Sequence, residues 1–380
     1  MQKNHKTVFV GMSGGVDSSV TAGILKDQGY NVVGVHLRCW NVDGCAEQDA
    51  EDARRAAETL GIPFYVFDFE KEYREKVVQY MVDGYRKGIT PNPDVMCNHE
   101  IKFGMFFERA MELGADFVAT GHYVRRRVAY NAKHVTLDKK KGMNKSSGAT
   151  RYTLHVARDS SKDQSYFLWM LTQKQLAHCL FPLGDLIKKT DVRRLAKKYK
   201  LPNAEKKDSQ GVCFLGQIKL PEFLDRFVPP KKGKVLDMHG KILGQHSGAH
   251  HFTIGQRKGL GVGGSPVPLY VASKDIKKNT VTLAAENEDS LYSHEVQLST
   301  VNFINPLISN SSEWANSGVK VFTRVRYRQP LFSATLYQSS DKTCKIVFNR
   351  PQKFVAPGQS AVFYDKAGKM LGGGVIKSAL

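Results

Sequence analysis

The feature that most limits the fold of this chain is a short loop rich in glycine and serine. The loop, Gly11-Met12-Ser13-Gly14-Gly15-Val16-Asp17-Ser18-Ser19, follows an apolar run at 7–11 that predicts a buried strand, and it precedes a predicted helix at 20–28. Its glycines let the backbone approach an oxyanion, and its hydroxyls and the helix N-terminus favour negative charge. The loop therefore predicts a phosphate site. It fits neither G-x-x-x-x-G-K-[ST] nor G-x-G-x-x-G.

Strand and helix patterns alternate through the first half of the chain. Apolar runs predict strands and amphipathic stretches predict helices, with strands at 7–11, 31–37, 64–67 and 116–120 and helices at 20–28, 46–60, 70–86 and 98–113. Helices between strands imply right-handed parallel crossovers and a sheet that is covered on both faces. We therefore expect an α/β fold with an N-terminal parallel sheet flanked by helices and a ligand beyond the carboxyl ends of its strands.

The second half of the chain has a different pattern. Helical spacing returns at 165–179 and 191–200, glycine and proline recur after about residue 216, and short alternating segments follow at 319–327, 332–338, 344–348 and 360–364. Short strands separated by turns are typical of a small β-barrel. We predict a catalytic domain over 1–216, a small α+β central domain over 217–288 and a C-terminal β-barrel over 289–380.

The charge of the chain predicts a polyanionic partner. Its 380 residues include 56 Lys and Arg against 36 Asp and Glu, a net charge of +20, and a surplus of this size indicates a partner such as nucleic acid. Part of it lies in 125–158, which we expect to form a basic hairpin or loop. No apolar run approaches the roughly 18–20 residues of a membrane span. The N-terminus resembles no secretory signal, so we expect a cytoplasmic protein without a membrane partner.

Two cysteines have surroundings that suit reactive thiols. Cys97 follows two prolines at the predicted start of a helix, where the dipole lowers a thiol pKa, and Asp94 can exchange protons with a bound group. Cys213 lies among small residues after Lys206 and Lys207, which favour the thiolate. An incidental cysteine in a proline-rich connection explains Cys97 equally well. A half-buried cysteine beside a phenylalanine is the alternative for Cys213.

The remaining cysteines predict structural roles. The six cysteines lie at 39, 45, 97, 179, 213 and 344 and include no C-x-x-C pair, which argues against a zinc ribbon and a dense disulfide framework. We assign no metal-binding residues to the chain and interpret Cys39, Cys45, Cys179 and Cys344 as structural. An iron–sulfur cluster held by the other two and a third ligand is a further alternative.

Eight segments occur in one order along the chain. They are SGGVDSS, TPNPDVMCN, ATGHY, SKDQSYFL, KKDSQGVCFLG, FTIGQRKGLGVGG, RVRYRQ and APGQSAVFY. This succession resembles the bacterial-type tRNA-specific 2-thiouridylases, which belong to the ATP pyrophosphatase (PP-loop) group, and it spans nearly the whole chain. The first segment is specific to that group but not to one substrate, whereas the later segments narrow the resemblance to one family.

The resemblance implies a sulfurtransferase that acts on tRNA. Members adenylate the C2 oxygen of the wobble uridine with ATP, release pyrophosphate, and replace the oxygen with sulfur to give 2-thiouridine and AMP. By resemblance, Cys213 carries a persulfide from a sulfur-donor protein, Cys97 attacks it so that a Cys97–Cys213 disulfide forms, and Asp94 is the acid/base. Whether hydrosulfide or the persulfide itself attacks stays open. Turnover also needs a reductant.

The resemblance also implies which residues bind the substrates. ATP, with Mg²⁺ placed by the loop aspartate, is expected at Gly11, Met12, Ser13, Gly14, Gly15, Val16, Asp17, Ser18, Leu37 and Gly121. The target base, flipped out of the anticodon stack, is expected at Asn92, Pro93 and Asp94. The anticodon arm of the tRNA is expected at His122, Lys162, Asp163, Gln164, Arg326, Tyr327 and Gln359.

Other interpretations remain open at this stage. Asp163 can simply cap a helix, whereas Arg324, Arg326 and Arg328 alternate along a predicted strand and would follow phosphates on one face. For the whole chain, the alternatives are another PP-loop enzyme that adenylates RNA, an amide-forming synthetase, or a tRNA-binding protein without catalytic activity. The synthetases need no pair of redox cysteines, so replacing Cys213 distinguishes them.

Overall fold

The computed structural model describes residues 6–40, 45–129, 151–207, 219–304, 317–340 and 342–380. Its first half contains seven strands among these residues, and they are Thr7–Gly11 (β1), Asn31–Arg38 (β2), Phe64–Asp68 (β3), Phe117–Ala119 (β4), Arg125–Ala129 (β5), Arg151–His155 (β6) and Cys179–Leu180 (β7). Five of them form a parallel sheet in the order β3-β2-β1-β4-β7, and β5 pairs with β6 as an antiparallel hairpin. The α/β fold with a parallel N-terminal sheet is confirmed.

The order of this sheet explains where a ligand can bind. The central strand β1 is buried on both faces, with Val8, Phe9 and Val10 at most 7% exposed, as expected for a strand with helices on either side. The chain runs outward from β1 to β2 and β3 and then returns to β4 on the other side of β1. This reversal places the topological switch point of the sheet at the carboxyl ends of β1 and β4, which is where open α/β sheets bind ligands.

The helices cover both faces of the sheet and continue into the central domain. They are Val16–Asp27 (α1), Cys45–Leu60 (α2), Glu70–Tyr73 (α3), Gln79–Arg86 (α4), Pro93–Met96 (α5), Phe106–Glu112 (α6), Gln173–Ala177 (α7), Arg193–Lys198 (α8) and Leu220–Leu224 (α9). Wider π-helical turns at Arg74–Val78 and Cys97–Met105 join α3 to α4 and α5 to α6, and another at Lys188–Val192 leads into α8.

Two of the predicted helices differ from the structure. The helix predicted at 98–113 begins at Pro93, because the Asn92 side chain caps it and proline fits its first turn. The helix predicted at 165–179 is wrong as one element. A 3₁₀ turn at Ser165–Leu168, α7 and β7 replace it, and Thr172 starts α7 with a capping box.

The central domain is a small sheet with one flanking helix among its described residues. Its strands are Gly233–Leu236 (β8), Ile242–His246 (β9), Leu269–Asp275 (β10) and Thr280–Ala285 (β11), in the order β10-β11-β8-β9. Short 3₁₀ turns at Ala249–His251 and Asp289–Leu291 follow β9 and β11. The predicted α+β character of this region is confirmed.

The C-terminal region is a closed antiparallel barrel. Its strands are Tyr292–Phe303 (β12), Val319–Arg324 (β13), Phe332–Ser340 (β14), Thr343–Lys353 (β15), Ser360–Tyr364 (β16) and Met370–Ala379 (β17), in the order β12-β15-β14-β13-β16-β17. The predicted barrel is confirmed. The strand predicted at 319–327 ends at Arg324 instead, and Arg328 has a φ of 64°, so the expected single face of three arginines is wrong.

The catalytic domain and the barrel share one hydrophobic core. Trp169 and Tyr166 of the first half are fully buried in the same cluster as Val362, Tyr364 and Met370 of the barrel. The two regions therefore pack together as parts of one molecule. The predicted boundary at 216 and the middle of the basic segment, 130–150, lie outside the described residues, and the domain boundaries stay a prediction. Within the described residues, no helix is both long and apolar enough to cross a bilayer.

Candidate active site

The loop after β1 is fixed to its neighbours by backbone hydrogen bonds. The N–H of Met12 donates to the Val35 carbonyl (2.7 Å), and the Met12 carbonyl lies 3.0 Å from the Nδ1 of His36. Burial lowers the pKa of His36, so its ring is neutral at pH 7 and donates Nδ1–H to that carbonyl. The Ser13 N–H donates to the Oγ of Ser18 (3.1 Å), which closes the loop against the first turn of α1.

The start of α1 is shaped to accept an anion. Gly14 has a φ of 75°, and a Cβ at this position would overlap the backbone of Asp49, so glycine is required. α1 begins at Val16, and its N-cap residue Gly15 has no side chain to bond the first amides. A helix of 12 residues therefore presents its N-terminal N–H groups and the positive end of its dipole to the switch point of the sheet.

A buried lysine faces the acidic residue of this loop. The Oδ1 of Asp17 accepts a hydrogen bond from the hydroxyl of Tyr123 (2.7 Å) and lies 2.5 Å from the Nζ of Lys188. The Lys188 side chain is only 4% exposed, whereas that of Asp17 is 31% exposed. A buried ammonium next to a helix N-terminus concentrates positive charge where a polyphosphate would lie.

The segment after α8 forms hydrogen bonds with the phosphate loop and the first turn of α1. The Nδ2 of Asn203 donates to the Gly14 carbonyl (2.9 Å) and to the Oγ of Ser19 (3.0 Å). The Nζ of Lys206 pairs with two carboxylates of α2, at 2.7 and 2.6 Å. These contacts tie the residues that precede Cys213 in sequence to the phosphate loop.

The other predicted nucleotide residues gather at the same edge of the sheet. Gly121 follows β4, and a Cβ there would lie 2.8 Å from the backbone nitrogen of Ser18, so the β4 loop packs directly on the start of α1. Gly11 pairs with Val35 in β2, and Leu37 is two residues further along that strand. The predicted nucleotide residues are therefore neighbours in space.

The second predicted group lies at the start of the α5 helix. The Asn92 side chain accepts a hydrogen bond from the Val95 N–H (3.2 Å), and Pro93 follows as the first helical residue. Asp94 is half-buried, and this burial raises its pKa. Cys97 is half-buried in the second turn rather than at the helix start. The group therefore includes two reactive side chains that follow one another along the same helix. The Asp94 carboxyl can hold a proton, and Cys97 supplies a thiol.

Lys102 acts electrostatically on both this group and the β4 loop. Its charge acts on Asp94, whose pKa it lowers against the larger effect of burial, and on His122, which follows Gly121. His122 itself is buried, with its Nδ1 2.7 Å from the Thr120 hydroxyl, and burial holds its pKa well below the usual value. A neutral, enclosed His122 positions the β4 loop and does not lie at the protein surface.

The cysteines that the structure describes differ in burial. Burial raises the pKa of the Cys179 thiol, and it raises the pKa of Cys344 to about 12, so both are protonated and enclosed. Cys39 is half-buried near the end of β2. Cys213 and the side chain of Cys45 lie outside what the structure describes.

The predicted tRNA residues at 162–164 lie beside the barrel. Asp163 is buried and forms an ion pair with Arg324 (3.1 Å), and its Oδ1 accepts from the Ser165 N–H (3.2 Å). Gln164 accepts a hydrogen bond from the Tyr123 backbone (3.0 Å). Lys162 is half-buried in the turn before them. Asp163 and Gln164 thus join the β4 loop to the barrel.

The predicted tRNA residues of the barrel also make internal contacts. Arg326 donates to the Ile254 carbonyl of the central domain, and Tyr327 packs on Phe167 with ring centroids 4.4 Å apart. The Nε2 of Gln359 donates to the carbonyls of Thr90 and Pro91, at 3.0 and 3.2 Å. Gln359 therefore holds the loop that leads into the α5 helix.

Sequence reasoning missed four residues of the site. Lys188 and Asn203 lie in a basic stretch that reads as a solvated surface, and Lys102 lies among ordinary helical residues. Tyr123 lies in the segment ATGHY, but its sequence context does not indicate that its hydroxyl bonds Asp17. The only sequence signal for Lys188 is its place before an apolar helix face, which does not distinguish a buried lysine from an exposed one.

The fold and the site together define a class of protein. A parallel sheet with a glycine- and serine-rich loop between its central strand and first helix defines a nucleotide-binding α/β protein of the PP-loop type. Three family models match in succession: the tRNA methyl transferase HUP domain at 6–217, the tRNA methyl transferase PRC-barrel domain at 221–285 and the aminomethyltransferase beta-barrel domain at 293–376.

Curated relatives match almost the entire chain. The protein named tRNA-specific 2-thiouridylase MnmA of Alkaliphilus oremlandii is 41% identical over 98% of this chain and 97% of its own length. Its namesake in Akkermansia muciniphila is 42% identical over 98% of both chains. The chain belongs to the tRNA-specific 2-thiouridylase family.

Solved structures add a weaker likeness. NMN synthetase from Francisella tularensis matches 54% of this chain and 66% of its own, with 17% identity and a TM-score of 0.29. A likeness at this level carries no argument about function.

Proposed function

We propose that this protein is a tRNA 2-thiouridylase that replaces the C2 oxygen of the wobble uridine with sulfur, at the expense of ATP. The observation that carries the proposal is the match, at about 40% identity and over nearly the full length, to relatives of that name. The site supports it, because a polyphosphate cradle, a partly buried carboxyl and a cysteine lie on neighbouring elements. The chain would act in the cytoplasm, on the anticodon arm of tRNA.

The phosphate loop is proposed to bind the triphosphate of ATP. The amides of α1 and the loop hydroxyls would hold the phosphates, and Lys188 would offset their charge. Leu37 and Gly121 would border the adenosine. The Oδ1 of Asp17 already has two donors, so the carboxylate fits Mg²⁺ only through its other oxygen. Mg²⁺ bound there would neutralise charge on the departing pyrophosphate.

The start of the α5 helix is proposed to receive the flipped uracil. Asn92 and Pro93 are held rigidly by capping, and Gln359 fixes the approach to them. Asp94 keeps a raised pKa in this position, so it can give a proton to, or take one from, the base as its O2 is adenylated. A rigid pocket suits a base that must be taken out of its stack.

Sulfur transfer is proposed to use two thiols. Cys213 would carry a persulfide from a donor protein, and the Cys97 thiolate would attack the inner sulfur to form the Cys97–Cys213 disulfide. The terminal sulfur leaves as hydrosulfide, attacks C2 and displaces AMP. In the alternative sequence the persulfide attacks C2 first and Cys97 then resolves the mixed disulfide. Both sequences oxidise two thiols, so an external thiol reductant must restore the enzyme.

The tRNA-binding residues are proposed to act in two ways. Lys162 and Tyr327 are only half-buried and would contact the anticodon arm directly. The buried or internally bonded residues, His122, Asp163, Gln164, Arg326 and Gln359, would shape the surface that the arm contacts, because their polar groups already have protein partners.

The experiment compares serine variants of the two cysteines. With ATP, unmodified tRNA, a persulfide donor and a thiol reductant, Cys97→Ser and Cys213→Ser should form no 2-thiouridine, yet tRNA-dependent pyrophosphate release should continue because adenylation precedes sulfur transfer. Cys39→Ser, at a half-buried cysteine outside the α5 helix, is the matched control and should keep thiolation. Normal thiolation by Cys213→Ser would refute the role of Cys213 as the sulfur carrier. Pyrophosphate release without any thiolation by wild type would instead favour a synthetase that uses an amine.

A further inference from the structure

A cluster of metal-ligand side chains lies in the central domain, outside the candidate active site. Asp225, directly after α9, and His250 and His251, in the 3₁₀ turn after β9, present ligand atoms that all lie within 4.8 Å of one another. None of the three takes part in the proposed reaction.

His250 contributes a buried nitrogen that lacks a partner. The residue is only 7% exposed, and its Nε2 has no hydrogen-bond partner among the residues that the structure describes. Buried polar atoms are nearly always bonded, so an orphaned imidazole nitrogen needs an explanation. A Cβ at Gly248 would lie 2.8 Å from the His250 Nδ1 and would overlap its ring. The His250 ring therefore packs directly against the backbone of Gly248, and this contact fixes its position.

His251 and Asp225 complete a set of three donors. The Nε2 of His251 lies 2.8 Å from the Oδ1 of Asp225, and its Nδ1 lies 3.3 Å from the hydroxyl of Ser247. The His251 side chain is 6% exposed, whereas that of Asp225 is 37% exposed. A metal-ligating histidine is oriented by a hydrogen-bond acceptor on its far ring nitrogen, and the Ser247 hydroxyl can accept from Nδ1 in this way.

We propose that Asp225, His250 and His251 bind one divalent transition-metal ion of the Zn²⁺ type. Two imidazole nitrogens and one carboxylate oxygen are a frequent protein donor set for this ion, with water in the fourth position on the exposed side of the aspartate. At a metal–ligand distance of about 2.0–2.1 Å, tetrahedral donors lie roughly 3.3 Å apart. The exposed Asp225 can make the small adjustment that this geometry needs.

The ion would fasten two parts of the central domain to each other. Asp225 directly follows α9, which is the first helix described after Cys213 in sequence. The two histidines lie in the turn that follows β9 of the central sheet. His246 at the end of β9 is also buried, and its Nδ1 accepts a hydrogen bond from the Gly248 N–H (3.0 Å), so the surroundings of the cluster are polar as well as enclosed. An ion held by these three residues would set the position of α9 relative to the central sheet.

The experiment measures metal binding by the full chain without tRNA or ATP. The chelator-treated protein is titrated with Zn²⁺ by calorimetry and with Co²⁺ by visible absorption. Wild type should bind one ion per chain in this cluster and show the intense Co²⁺ band of a tetrahedral site. His250→Ala and Asp225→Asn should each lose more than the roughly 10- to 100-fold in affinity that loss of an outer-shell partner costs.

The controls separate the cluster from other ligands. His239→Ala removes an exposed histidine from a turn of the same domain and should leave the affinity unchanged. Because Asp225 is at the surface, Asp225→Asn should fold, which circular dichroism checks, and Zn²⁺ should raise the Tm of wild type but not of this variant. If wild type binds no more Zn²⁺ than His250→Ala, or if all variants bind equally, the proposed site is refuted. Neither result depends on thiolation.

Discussion

At the scale of single residues, one buried lysine contributes positive charge to the proposed nucleotide site. Lys188 is buried against Asp17 at 2.5 Å, and an ammonium in such a place is retained only where an anionic partner offsets the cost of its burial. Asp17 supplies that partner before substrate binds. When pyrophosphate forms, the same ammonium can stabilise the charge that develops on it, in a position that needs no rearrangement.

Replacing Lys188 should therefore slow the adenylation step. Lys188→Met keeps most of the side-chain volume and removes the charge, so we expect tRNA-dependent pyrophosphate release to fall by about 10²- to 10³-fold. Lys189→Met, at the exposed neighbour, is the matched control and should keep its rate. Steady-state pyrophosphate assays measure both. A normal rate for Lys188→Met would show that the buried charge plays no part in the reaction.

Asp94 gives a prediction about pH. Burial raises its pKa above the usual 3.8, so the folded chain binds this proton more tightly than the unfolded chain does. The stabilisation is complete below about pH 4 and is lost as the pH rises through the folded pKa. Asp94→Asn cannot ionise and so lacks this pH dependence. The Tm of Asp94→Asn minus the Tm of wild type should therefore increase as the pH rises from 4 to 7.

The same variant should lose activity for a separate reason. Removing a general acid or base typically costs about 10²- to 10⁴-fold in rate, and we expect thiolation by Asp94→Asn to fall in that range. Glu112→Gln, at an exposed carboxylate on α6, should change neither the Tm profile nor the rate. Parallel Tm profiles for wild type and Asp94→Asn would contradict the raised pKa.

At the scale of elements, the segment around the Ser165–Leu168 turn joins the catalytic domain to the barrel. The Trp169 Nε1 donates to the Ser360 hydroxyl (3.0 Å), the Tyr166 hydroxyl donates to the Ser360 carbonyl (2.9 Å), and Asp163 pairs with Arg324. The sequence predicts that Lys162, Asp163 and Gln164 of this segment bind tRNA. In the structure, Asp163 instead pairs with Arg324 of the barrel. Side chains that bond across a domain interface and side chains that bond RNA have the same composition, so the pattern alone cannot separate them.

Breaking the buried ion pair should destabilise the molecule. Asp163→Asn leaves Arg324 enclosed without its counter-charge, and removing one partner of a buried pair costs about 3–5 kcal/mol. Asp185→Asn breaks a surface pair with Arg127, whose side chains are 54% and 49% exposed, and should cost less than about 1 kcal/mol. Urea unfolding measures both. Equal losses would mean that the buried pair is not a structural link.

At the scale of the whole molecule, sequence reasoning gave the α/β fold, the barrel and the family. Strand and helix periods are local, and so is the phosphate loop. The sequence could not reveal which polar side chains are enclosed between domains, because that depends on packing between distant segments. His122 and Arg324 show this limit. Their sequence context predicts groups at the surface that contact tRNA, but both side chains are buried. The cluster of Asp225, His250 and His251 likewise forms only on folding.

The net charge of +20 gives a prediction for the molecule as a whole. A protein that neutralises about 6–10 phosphates loses roughly 10³- to 10⁵-fold in affinity between 50 and 200 mM salt. We expect tRNA binding, measured by fluorescence anisotropy, to fall steeply over this range. A protein of similar size with a net charge near zero is the control. A flat salt profile would mean that the charge surplus does not lie where tRNA binds.

The most direct test of the account is the chemical product of the wild-type protein. The chain is incubated with ATP, Mg²⁺, unmodified tRNA, a persulfide donor and a thiol reductant, and the anticodon nucleosides are identified by mass spectrometry while AMP is quantified. We predict a wobble uridine with one sulfur in place of one oxygen, and one AMP for each sulfur inserted. An unmodified uridine with no AMP formed would contradict the account.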